Sequence, residues 1–321
     1  MSILITGVAG FIGFHTATFF LKKKIKIIGV DNLNNYYDVK LKNARLNQLK
    51  KFKNFTFLKK DIQDKKIFKD LKREKINCII NLAAQAGVRH SLKDPYTYIN
   101  SNILGHLNLL ELAREFDITK FIYASSSSVY GGNKKLPFSI DQRVDSPVSL
   151  YAASKKSTEL LAECYSKLFK IQCIGLRFFT VYGPWGRPDM ATFIFTKKIL
   201  ENKKIDIFNY GKMKRDFTYI DDIVSGVEGA VNYKINKKSL HNIYNLGNSN
   251  SENLLDFIGL IEKNLGIKSK RNFLPLQAGD VPETFADIEK SKKDLKFFPL
   301  TKIKDGLPKF IEWYKNYYDL K

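Results

Sequence analysis

Short apolar runs alternate with longer segments of helical periodicity through the first part of this 321-residue chain. Such runs, bounded by polar residues or glycine, indicate buried strands, and the longer segments indicate helices. The predicted strands are Met1–Thr6, Ile25–Val30, Phe55–Leu58, Cys78–Leu82, Lys120–Ala124 and Cys173–Arg177. The predicted helices are Phe14–Leu21, Val39–Lys51, Pro95–Phe116 and Tyr151–Lys170. This alternation predicts an α/β protein with a parallel sheet covered by helices on both faces.

The first strand leads directly into a glycine-rich turn, in which Gly7, Gly10 and Gly13 are spaced as G-x-x-G-x-x-G. Glycines allow a tight turn and a close approach of the backbone to a pyrophosphate, whose charge then lies at a helix N-terminus. The second strand ends at Asp31, 18 positions after Gly13. A carboxylate there is placed to bind a ribose 2′-hydroxyl and to repel a 2′-phosphate, so NAD is favoured over NADP. The alternative is a glycine-rich turn that only closes an ordinary βα unit.

The domain organisation follows from where this alternation ends. Up to about Thr180 the pattern predicts a Rossmann-type, doubly wound parallel sheet. After Thr180 it loosens into short strands, helices and loops, which is typical of a smaller substrate-binding lobe. We therefore predict an NAD-binding domain over residues 1–179 and a C-terminal lobe over residues 180–321, interleaved with the first.

The formal net charge of +22 raises the alternative of a nucleic-acid or membrane-surface protein. The excess is nearly all lysine, dispersed along the chain, with only nine arginines. We find no arginine stripe and no aromatic RNA-binding motif. The charge is therefore interpreted as a compositional feature of a solvated surface, and no nucleic-acid partner is expected.

The sequence also argues against a disulfide-bonded, a metal-binding and a membrane-spanning protein. The three cysteines show no C-x-x-C or metal-ligand spacing, which is typical of a reducing compartment. The four histidines form no H-x-x-x-H set, so no metal site is expected. No apolar run approaches the roughly 20 residues of a membrane span. The first residues already form a strand rather than a signal peptide, so the expectation is a cytoplasmic protein without membrane attachment.

Candidate catalytic residues lie in the second half of the first domain. Tyr151 and Lys155 are four residues apart in a predicted helix, so they share one helix face. A neighbouring ammonium favours the phenolate and is expected to lower the tyrosine pKa, making Tyr151 a candidate general base. The serine run 125–128 precedes them and offers a hydroxyl for proton relay or substrate contact. A Tyr-x-x-x-Lys pair also occurs on many solvated helix faces, and hydroxyls often cap strand ends.

Together, these motifs resemble the extended short-chain dehydrogenase/reductases of the NAD-dependent epimerase/dehydratase family. Within it, the chain is most like the UDP-glucuronate 4-epimerases, and the resemblance covers almost its whole length. The motifs that carry the resemblance are the glycine turn, Asp31–Asp38, Asn81–Arg89, Ser125–Ser128, Tyr151-x-x-x-Lys155, Arg177–Pro184, Arg187–Met190, Arg215–Phe217 and Gly279–Pro282.

The resemblance implies a role for each site residue. Tyr151 is the general base, Lys155 holds its phenolate and the nicotinamide ribose, and Ser126 contacts the sugar 4-oxygen. The residues implied in NAD binding, besides Tyr151 and Lys155, are Gly7, Gly10, Phe11, Ile12, Gly13, Asp31, Asn32, Asp61, Ile62, Leu82, Ala83 and Ala84. The residues implied in UDP-sugar binding are Arg89, Ser127, Ser128, Thr180, Arg187, Arg215 and Asp280. A homodimer built from the two long helices and a place in surface polysaccharide biosynthesis are also implied.

The residues that follow Ser126 bear on the reaction type. Related 4,6-dehydratases carry an Asp-Glu pair at this point and UDP-glucuronate decarboxylases carry a glutamate, whereas this chain has Ser127 and Ser128. Simple epimerisation through a 4-keto sugar, with NAD regenerated in each cycle, is therefore favoured. Thr180 stands where many relatives have asparagine, which suggests a different group at C5. The alternatives are epimerisation of UDP-glucose or a UDP-N-acetylhexosamine or its uronate, decarboxylation of UDP-glucuronate, or a non-catalytic NAD-binding regulator.

Other charged and aromatic residues have competing interpretations. Arg215 resembles the arginine that binds the diphosphate, and its alternative is a surface ion pair with Asp216 or Asp221. Arg89 is expected to face the sugar, or else to serve packing or dimer contacts. The aromatic residues of the Phe310–Tyr318 stripe have helical spacing and are interpreted as core packing.

Overall fold

We describe residues 1–234, 239–277 and 279–320 from a computed structural model; residues 235–238, 278 and 321 of the predicted C-terminal lobe lie outside the described part. The strands are β1 (Ser2–Thr6), β2 (Lys26–Asp31), β3 (Phe55–Lys59), β4 (Cys78–Asn81), β5 (Lys120–Ser126), β6 (Gln172–Phe178), β7 (Thr180–Tyr182), β8 (Lys204–Ile207), β9 (Lys214–Arg215), β10 (Phe217–Tyr219), β11 (His241–Leu246), β12 (Glu252–Asn253) and β13 (Lys270–Phe273). The helices are α1 (Phe11–Lys22), α2 (Val39–Leu49), α3 (Ile67–Leu71), α4 (Pro95–Tyr98), α5 (Gly105–Glu115), α6 (Leu150–Phe169), α7 (Ala191–Leu200), α8 (Ile220–Asn232), α9 (Leu254–Leu265), α10 (Glu289–Leu295) and α11 (Ile303–Tyr317). None of these helices combines the length and the apolar character that a membrane crossing requires.

Seven of the described strands form a parallel sheet in the order β11-β6-β5-β4-β1-β2-β3. In this sheet β1 lies between β2 and β4, with Ile3 aligned with Ile27 on one side and Cys78 on the other. The chain therefore winds outward in both directions from β1, and ligands bind outside the carboxyl ends of strands at such a switch point. The predicted α/β class with a Rossmann-type doubly wound sheet is confirmed.

Burial on both faces explains the uninterrupted apolar runs of the strands. Side chains along β1 alternate between the two faces, so Ile3 and Ile5 belong to one core cluster and Leu4 to the other. The first cluster includes Phe20 of α1, and the second includes Leu109 of α5. The sheet is thus held between two helical layers by apolar packing.

The chain after residue 180 contributes to two places in the fold. Strand β11 returns to the edge of the main sheet and pairs with β6, where Leu246 is aligned with Phe178. The remaining strands form two-stranded sheets, which are β10-β7, β12-β9 and β13-β8. These small sheets lie beyond the carboxyl end of β6 in the chain and supply part of the cavity wall described below.

Most predicted elements differ from the observed ones only by up to three residues at their ends, but one helix differs in its interior. The predicted helix Pro95–Phe116 is interrupted by a π-helical segment, Ile99–Leu104. Within it, Asn102 is buried and bonds both backbone groups of Gln85 (2.8 and 3.0 Å) and the Ser154 hydroxyl (2.9 Å). A single widened turn leaves almost no trace in hydrophobic periodicity, so the pattern could not reveal it. Strand β5 also continues past Ala124 to Ser126, because its last residues still pair with β6.

Core packing is confirmed for part of the aromatic stripe near the C-terminus, whereas Tyr318 at its end is 36% exposed. Phe310 and Tyr314 of α11 are buried, and both ring systems lie within 6.2 Å of Phe193 on α7. Trp313 also packs against Trp185, with ring centroids 5.4 Å apart. Helix α11 therefore packs against α7 and against Trp185, which lies two residues before Arg187.

Candidate active site

A cavity of about 1020 Å³ lies at the carboxyl ends of the central strands. Its wall brings together every site residue that the sequence predicts. The cofactor candidates in the wall are Gly7, Gly10, Phe11, Ile12, Gly13, Asp31, Asn32, Asp61, Ile62, Leu82, Ala83 and Ala84. The catalytic and substrate candidates in the wall are Ser126, Tyr151, Lys155, Arg89, Ser127, Ser128, Thr180, Arg187, Arg215 and Asp280.

The glycine-rich turn between β1 and α1 is too tight for side chains. Gly7 has a φ of +69°, and a Cβ there would lie 2.7 Å from the backbone nitrogen of Ala83. A Cβ on Gly10 would lie 2.9 Å from the Gly7 carbonyl oxygen, and a Cβ on Gly13 would overlap that oxygen. The bare backbone leads into the N-terminus of α1, which favours an anionic group. The turn therefore fits the pyrophosphate of a dinucleotide.

Asp31 lies at the end of β2 beside this turn. Its carboxylate accepts hydrogen bonds from the backbone N–H groups of Ala9 (3.0 Å) and Leu33 (2.8 Å). Burial raises the pKa of Asp31, although these hydrogen bonds and the nearby Lys42 ammonium act in the opposite direction. Each carboxylate oxygen can accept two hydrogen bonds, so the Asp31 side chain can still accept one from a ribose hydroxyl.

The adenine end of the predicted cofactor site is held by side-chain amides. Asn32 donates to Asp61 Oδ2 (2.8 Å), which ties the loop after β2 to the loop after β3. Asn108 of α5 donates to the carbonyl oxygens of Ile62 and Gln63 (both 2.9 Å). These contacts fix the Asp61-Ile62 segment against the core. The residues present thus fit NAD along its predicted length.

The candidate catalytic residues meet where the N-terminus of α6 lies beside the end of β5, and this place is the candidate reaction centre. The Ser149 hydroxyl caps α6 by accepting from the backbone N–H of Ala152 (3.1 Å), so Tyr151 lies in the first turn. The Ser126 hydroxyl lies beside the Tyr151 phenol and lowers its pKa. It also accepts from the backbone N–H of Ser128 (3.2 Å) and donates to the Ser128 hydroxyl (3.1 Å). A tyrosine and two serine hydroxyls therefore meet at one point of the cavity.

The expected lowering of the Tyr151 pKa by Lys155 is wrong for this structure. Burial raises the pKa of Tyr151, while the neighbouring Ser126 hydroxyl and the Arg187 charge oppose the shift. The Lys155 ammonium instead donates to the carbonyl oxygen of Ala124 (2.9 Å), and burial lowers its pKa to about 8. The shared helix face was predicted correctly, but burial outweighs the neighbouring charge because desolvation disfavours both ionised forms.

Arg187 has a partner that the sequence did not predict. Its guanidinium forms a fork with Asp189, with Nε 3.0 Å from Oδ1. The Tyr36 hydroxyl donates to the same carboxylate (3.2 Å) from the loop after β2. Asp189 follows Arg187 by two residues, and this short separation was the sequence feature from which the ion pair could have been predicted. The Arg187 charge near Tyr151 is thus balanced within the cavity wall.

Arg89, Asp280 and Arg215 form another charged part of the wall. Arg89 pairs with Asp280 (2.9 Å) and lies 4.3 Å from the centroid of the Phe208 ring. Arg215 donates to two backbone carbonyl oxygens, those of Lys214 (2.9 Å) and Pro282 (3.0 Å). Among the described residues, no ion pair joins Arg215 to Asp216 or Asp221, so that alternative is not observed. Two guanidinium groups therefore line this region.

A buried ion pair behind the serine run was also missed. Glu159 and Arg177 are each 2% exposed, and two guanidinium nitrogens bond the carboxylate at 2.8 Å. The Ser125 hydroxyl donates to the same carboxylate (2.6 Å). Glu159 follows Lys155 by four residues, so it lies on the helix face that carries the catalytic candidates. The Glu159–Arg177 pair therefore joins α6, β5 and β6 directly beneath the reaction centre.

The chain is similar to known proteins over most of its length. Residues 3–247 match the NAD dependent epimerase/dehydratase family. The chain is 53% identical to an uncharacterized protein of Methanocaldococcus jannaschii, MJ1055, over 98% of this chain and 96% of the relative. It is 46% identical to the UDP-glucuronate 4-epimerase of Thermodesulfobacterium geofontis, over 99% and 97% of the two chains.

A solved structure is similar over the whole fold. The UDP-glucuronic acid 4-epimerase from Bacillus cereus, crystallised with UDP-glucuronic acid and NAD, superimposes with a TM-score of 0.93 at 37% identity. The match covers 99% of this chain and 100% of the other. With its family match, its relatives and its dinucleotide cradle, this chain belongs to the NAD dependent epimerase/dehydratase family.

Proposed function

We propose that this protein is a UDP-glucuronate 4-epimerase, which interconverts UDP-glucuronate and UDP-galacturonate with NAD as a retained cofactor. The observation that carries the proposal is the continuity of the cavity, whose wall runs from the glycine-rich turn past Tyr151 to Arg215 and Asp280. Its similarity to proteins named as UDP-glucuronate 4-epimerases supports the choice of substrate.

NAD would be held by the turn Gly7–Gly13, by Asp31 at the adenosine ribose and by the Asp61-Ile62 segment at the adenine. Leu82, Ala83 and Ala84 follow β4 and would contact the other face of the cofactor. When bound, NAD supplies a hydride acceptor at C4 of the sugar and later returns the hydride to the opposite face. The 4-keto sugar must turn over between these events, and the large cavity provides room for that.

Proton transfer at the sugar 4-oxygen would be carried out by Tyr151. As the phenolate, Tyr151 would accept the proton of the 4-hydroxyl and become the neutral phenol, and the Ser126 hydroxyl would bond the same sugar oxygen. Arg187 supplies a positive charge that favours the phenolate. The Lys155 ammonium holds Ala124 at the end of β5 by donating to its carbonyl oxygen. Lys155 therefore also aligns the serine run with α6.

At the substrate end, Arg215 and Asp280 would bind the UDP group. A planar guanidinium suits the paired oxygens of a diphosphate, and Arg89 adds a second cation beside it. The hydroxyls of Ser127, Ser128 and Thr180, together with Arg187, would bind the sugar carboxylate. We infer that residues 180–321 bind most of the UDP-sugar and residues 1–179 most of the NAD.

The reaction class rests on the residues after Ser126. Neither Ser127 nor Ser128 is a carboxylic acid, so no additional acid or base stands at that point to drive elimination or decarboxylation. Hydrogen bonds that hold the substrate carboxylate out of alignment would protect the 4-keto intermediate from loss of carbon dioxide. Epimerisation is therefore the reaction that these side chains favour.

We also infer a homodimer formed through α6 and the segment Pro95–Glu115. Large apolar side chains on these elements are exposed, with Leu168 at 66%, Leu160 at 58% and Tyr96 at 78%. Helices α4 and α5 contact α6, and exposed apolar side chains on adjoining helices favour an interface. By family resemblance, we further propose a cytoplasmic enzyme whose product serves surface polysaccharide biosynthesis.

The direct test is incubation of the purified protein with UDP-glucuronate, followed by NMR of the sugar products. We expect UDP-galacturonate without UDP-pentose, and loss of that activity in Tyr151→Phe. Tyr165→Phe is the matched control, because Tyr165 lies on the same helix but bonds Glu111 rather than the cavity groups. The control is expected to keep full activity.

Three other results would contradict the proposal in distinct ways. A UDP-pentose product would mean that the carboxylate is not protected and that the protein is a decarboxylase. Unchanged UDP-glucuronate, with turnover of UDP-glucose or a UDP-N-acetylhexosamine, would identify a different 4-epimerase. Full activity in Tyr151→Phe would remove Tyr151 from its role as the base.

A further inference from the structure

Asp216 is a fully buried carboxylate next to Arg215, with an exposure of 0%. Among the described residues it forms no ion pair within 4.0 Å. Burying a charge without a cation is costly unless hydrogen bonds replace the lost water. Four donors do so here: the backbone N–H groups of Asn248 (2.6 Å), Ser249 (3.1 Å) and Ala286 (3.1 Å), and the Thr218 hydroxyl (3.2 Å).

These donors come from segments that are distant in the sequence. The turn 247–249 follows β11, and Ala286 ends the segment 280–286, more than 30 residues further along the chain. The two meet only because position 247 is glycine: a Cβ there would lie 2.5 Å from the Ala286 Cβ and 2.9 Å from Asp216 Oδ2. The Asp216 carboxylate therefore fastens both segments to the strand region that carries Arg215.

The backbone of Asp216 adds two more connections. Its N–H donates to the Thr284 hydroxyl (3.2 Å), and its carbonyl oxygen accepts from the N–H of Thr180 (3.1 Å). The residues just before Asp216 are also connected to this segment. The Pro282 carbonyl oxygen accepts from the backbone N–H of Lys214 (2.9 Å) and from the Arg215 guanidinium (3.0 Å). Thr180, Thr284, Arg215 and Asp280 all line the cavity. Asp216 itself does not.

We propose that Asp216 is a positioning residue for the nucleotide end of the substrate. Its carboxylate holds the segment 280–286 and the turn 247–249 around Arg215, and so sets the spacing of Arg215 and Asp280 at which UDP binds. This inference rests on the proposed function, because it takes those two residues as the UDP-binding groups. A purely structural role would lower stability without changing the UDP affinity of the folded protein.

The test uses the full-length, NAD-loaded protein and compares Asp216→Asn with Gly247→Ala. In Asp216→Asn, an amide NH₂ group replaces one carboxylate oxygen and faces a backbone N–H group, so two donors meet and a hydrogen bond is lost. In Gly247→Ala, the new methyl group pushes Ala286 away while the carboxylate remains. The control is Asp222→Asn, since Asp222 also accepts two backbone N–H groups, those of Leu300 (3.2 Å) and Thr301 (3.0 Å), but lies outside the cavity wall.

UDP binding is measured by calorimetry below the unfolding temperature of each variant, and steady-state kinetics with UDP-glucuronate follow. For Asp216→Asn we expect UDP affinity to fall about tenfold, the scale of one lost charge-assisted hydrogen bond. KM should rise by a similar factor, while kcat stays within about twofold and NAD affinity is unchanged. Gly247→Ala should shift in the same direction by about threefold, and the control should not shift.

Unchanged UDP affinity in the folded variants, with normal turnover in the wild type, would overturn this inference and leave the proposed function intact. An equal loss of NAD and UDP affinity would also overturn it, because that result indicates general disruption. If Asp216→Asn does not fold, Gly247→Ala decides alone. A wild-type protein that neither binds UDP nor converts UDP-glucuronate would overturn both proposals.

Discussion

Replacing Glu159 with glutamine leaves the Arg177 guanidinium buried beside a neutral amide. Both side chains are 2% exposed, so water cannot replace the lost partner. The carboxylate accepts two hydrogen bonds from Arg177 at 2.8 Å and one from Ser125 at 2.6 Å. Glutamine keeps the size of the side chain, so the substitution isolates the charge and the lost acceptor.

The size of the expected loss in stability follows from the burial of this ion pair. Removing one partner of a buried, hydrogen-bonded pair costs about 3–5 kcal/mol, whereas an exposed pair contributes about 0–1 kcal/mol. Glu159→Gln is therefore expected to lower the free energy of unfolding by about 3–5 kcal/mol. The double variant Glu159→Leu with Arg177→Met should lose less free energy of unfolding than the two single variants lose together. The reason is that no buried charge remains unpaired in the double variant.

Urea unfolding followed by circular dichroism measures these differences, provided that the slope of each transition is unchanged. The control is Asp145→Asn, because the Arg143–Asp145 pair is exposed (92% and 59%) with a separation of 3.3 Å. A loss below about 1 kcal/mol for Glu159→Gln would refute the reasoning, since it would equal the effect of a surface pair.

The Glu159–Arg177 pair also predicts how the stability of the protein depends on pH. Burial alone raises the pKa of Glu159, but the hydrogen bonds and charge of Arg177 outweigh it, and the net pKa is lowered. A carboxyl group of this kind stabilises the fold above its unfolded pKa of about 4.3 and loses the contribution as pH falls through the lowered value. The stability difference between wild type and Glu159→Gln should therefore narrow below about pH 4.3. A difference that widens there would contradict this explanation.

Other predictions address the cofactor, the lysine and the dimer. In Gly13→Ala the added methyl group overlaps a carbonyl oxygen of the turn, so NAD affinity in a calorimetric titration should fall at least about tenfold. Gly259→Ala, whose methyl group meets nothing within 4 Å, should bind NAD normally. Burial lowers the pKa of Lys155 from 10.5 to about 8, so the unfolded chain binds more protons between these values and stability should rise with pH there. Urea unfolding should show a weaker rise in Lys155→Met, and an identical rise would exclude this residue as its source. Leu160→Asp should produce monomers in analytical ultracentrifugation, whereas Leu300→Asp, at an 82% exposed position, should not. Unaltered dimers in the first variant would move the interface elsewhere.

The sequence by itself determined the features that depend on neighbouring residues. Apolar runs identified the strands of the sheet, because a strand buried on both faces has no polar alternation. Gly7, Gly10 and Gly13 identified the cofactor turn, because the space beside each glycine is a local steric property. The spacing of Tyr151 and Lys155 placed both on one helix face, because helical geometry repeats every few residues.

Only the tertiary structure decided which charged groups meet. Arg177 reaches Glu159 because β6 lies beside β5 beneath α6, and Tyr36 reaches Asp189 across 153 residues of chain. Neither contact leaves a periodic signal, since the partner of a polar side chain depends on which elements pack together. The π-helical turn at Asn102 was missed for a related reason, because one widened turn barely changes the helical pattern.

The pKa of Tyr151 shows the same division between local pattern and tertiary context. The four-residue spacing correctly placed a lysine on the helix face of Tyr151. Burial nevertheless raises the pKa of the Tyr151 phenol, and the Lys155 ammonium donates to the Ala124 carbonyl oxygen instead. Desolvation depends on how completely the surrounding elements enclose a group, and that is a property of the whole packed fold. The sequence therefore determined which residues could do the chemistry, and the tertiary structure determined their electrostatic environment.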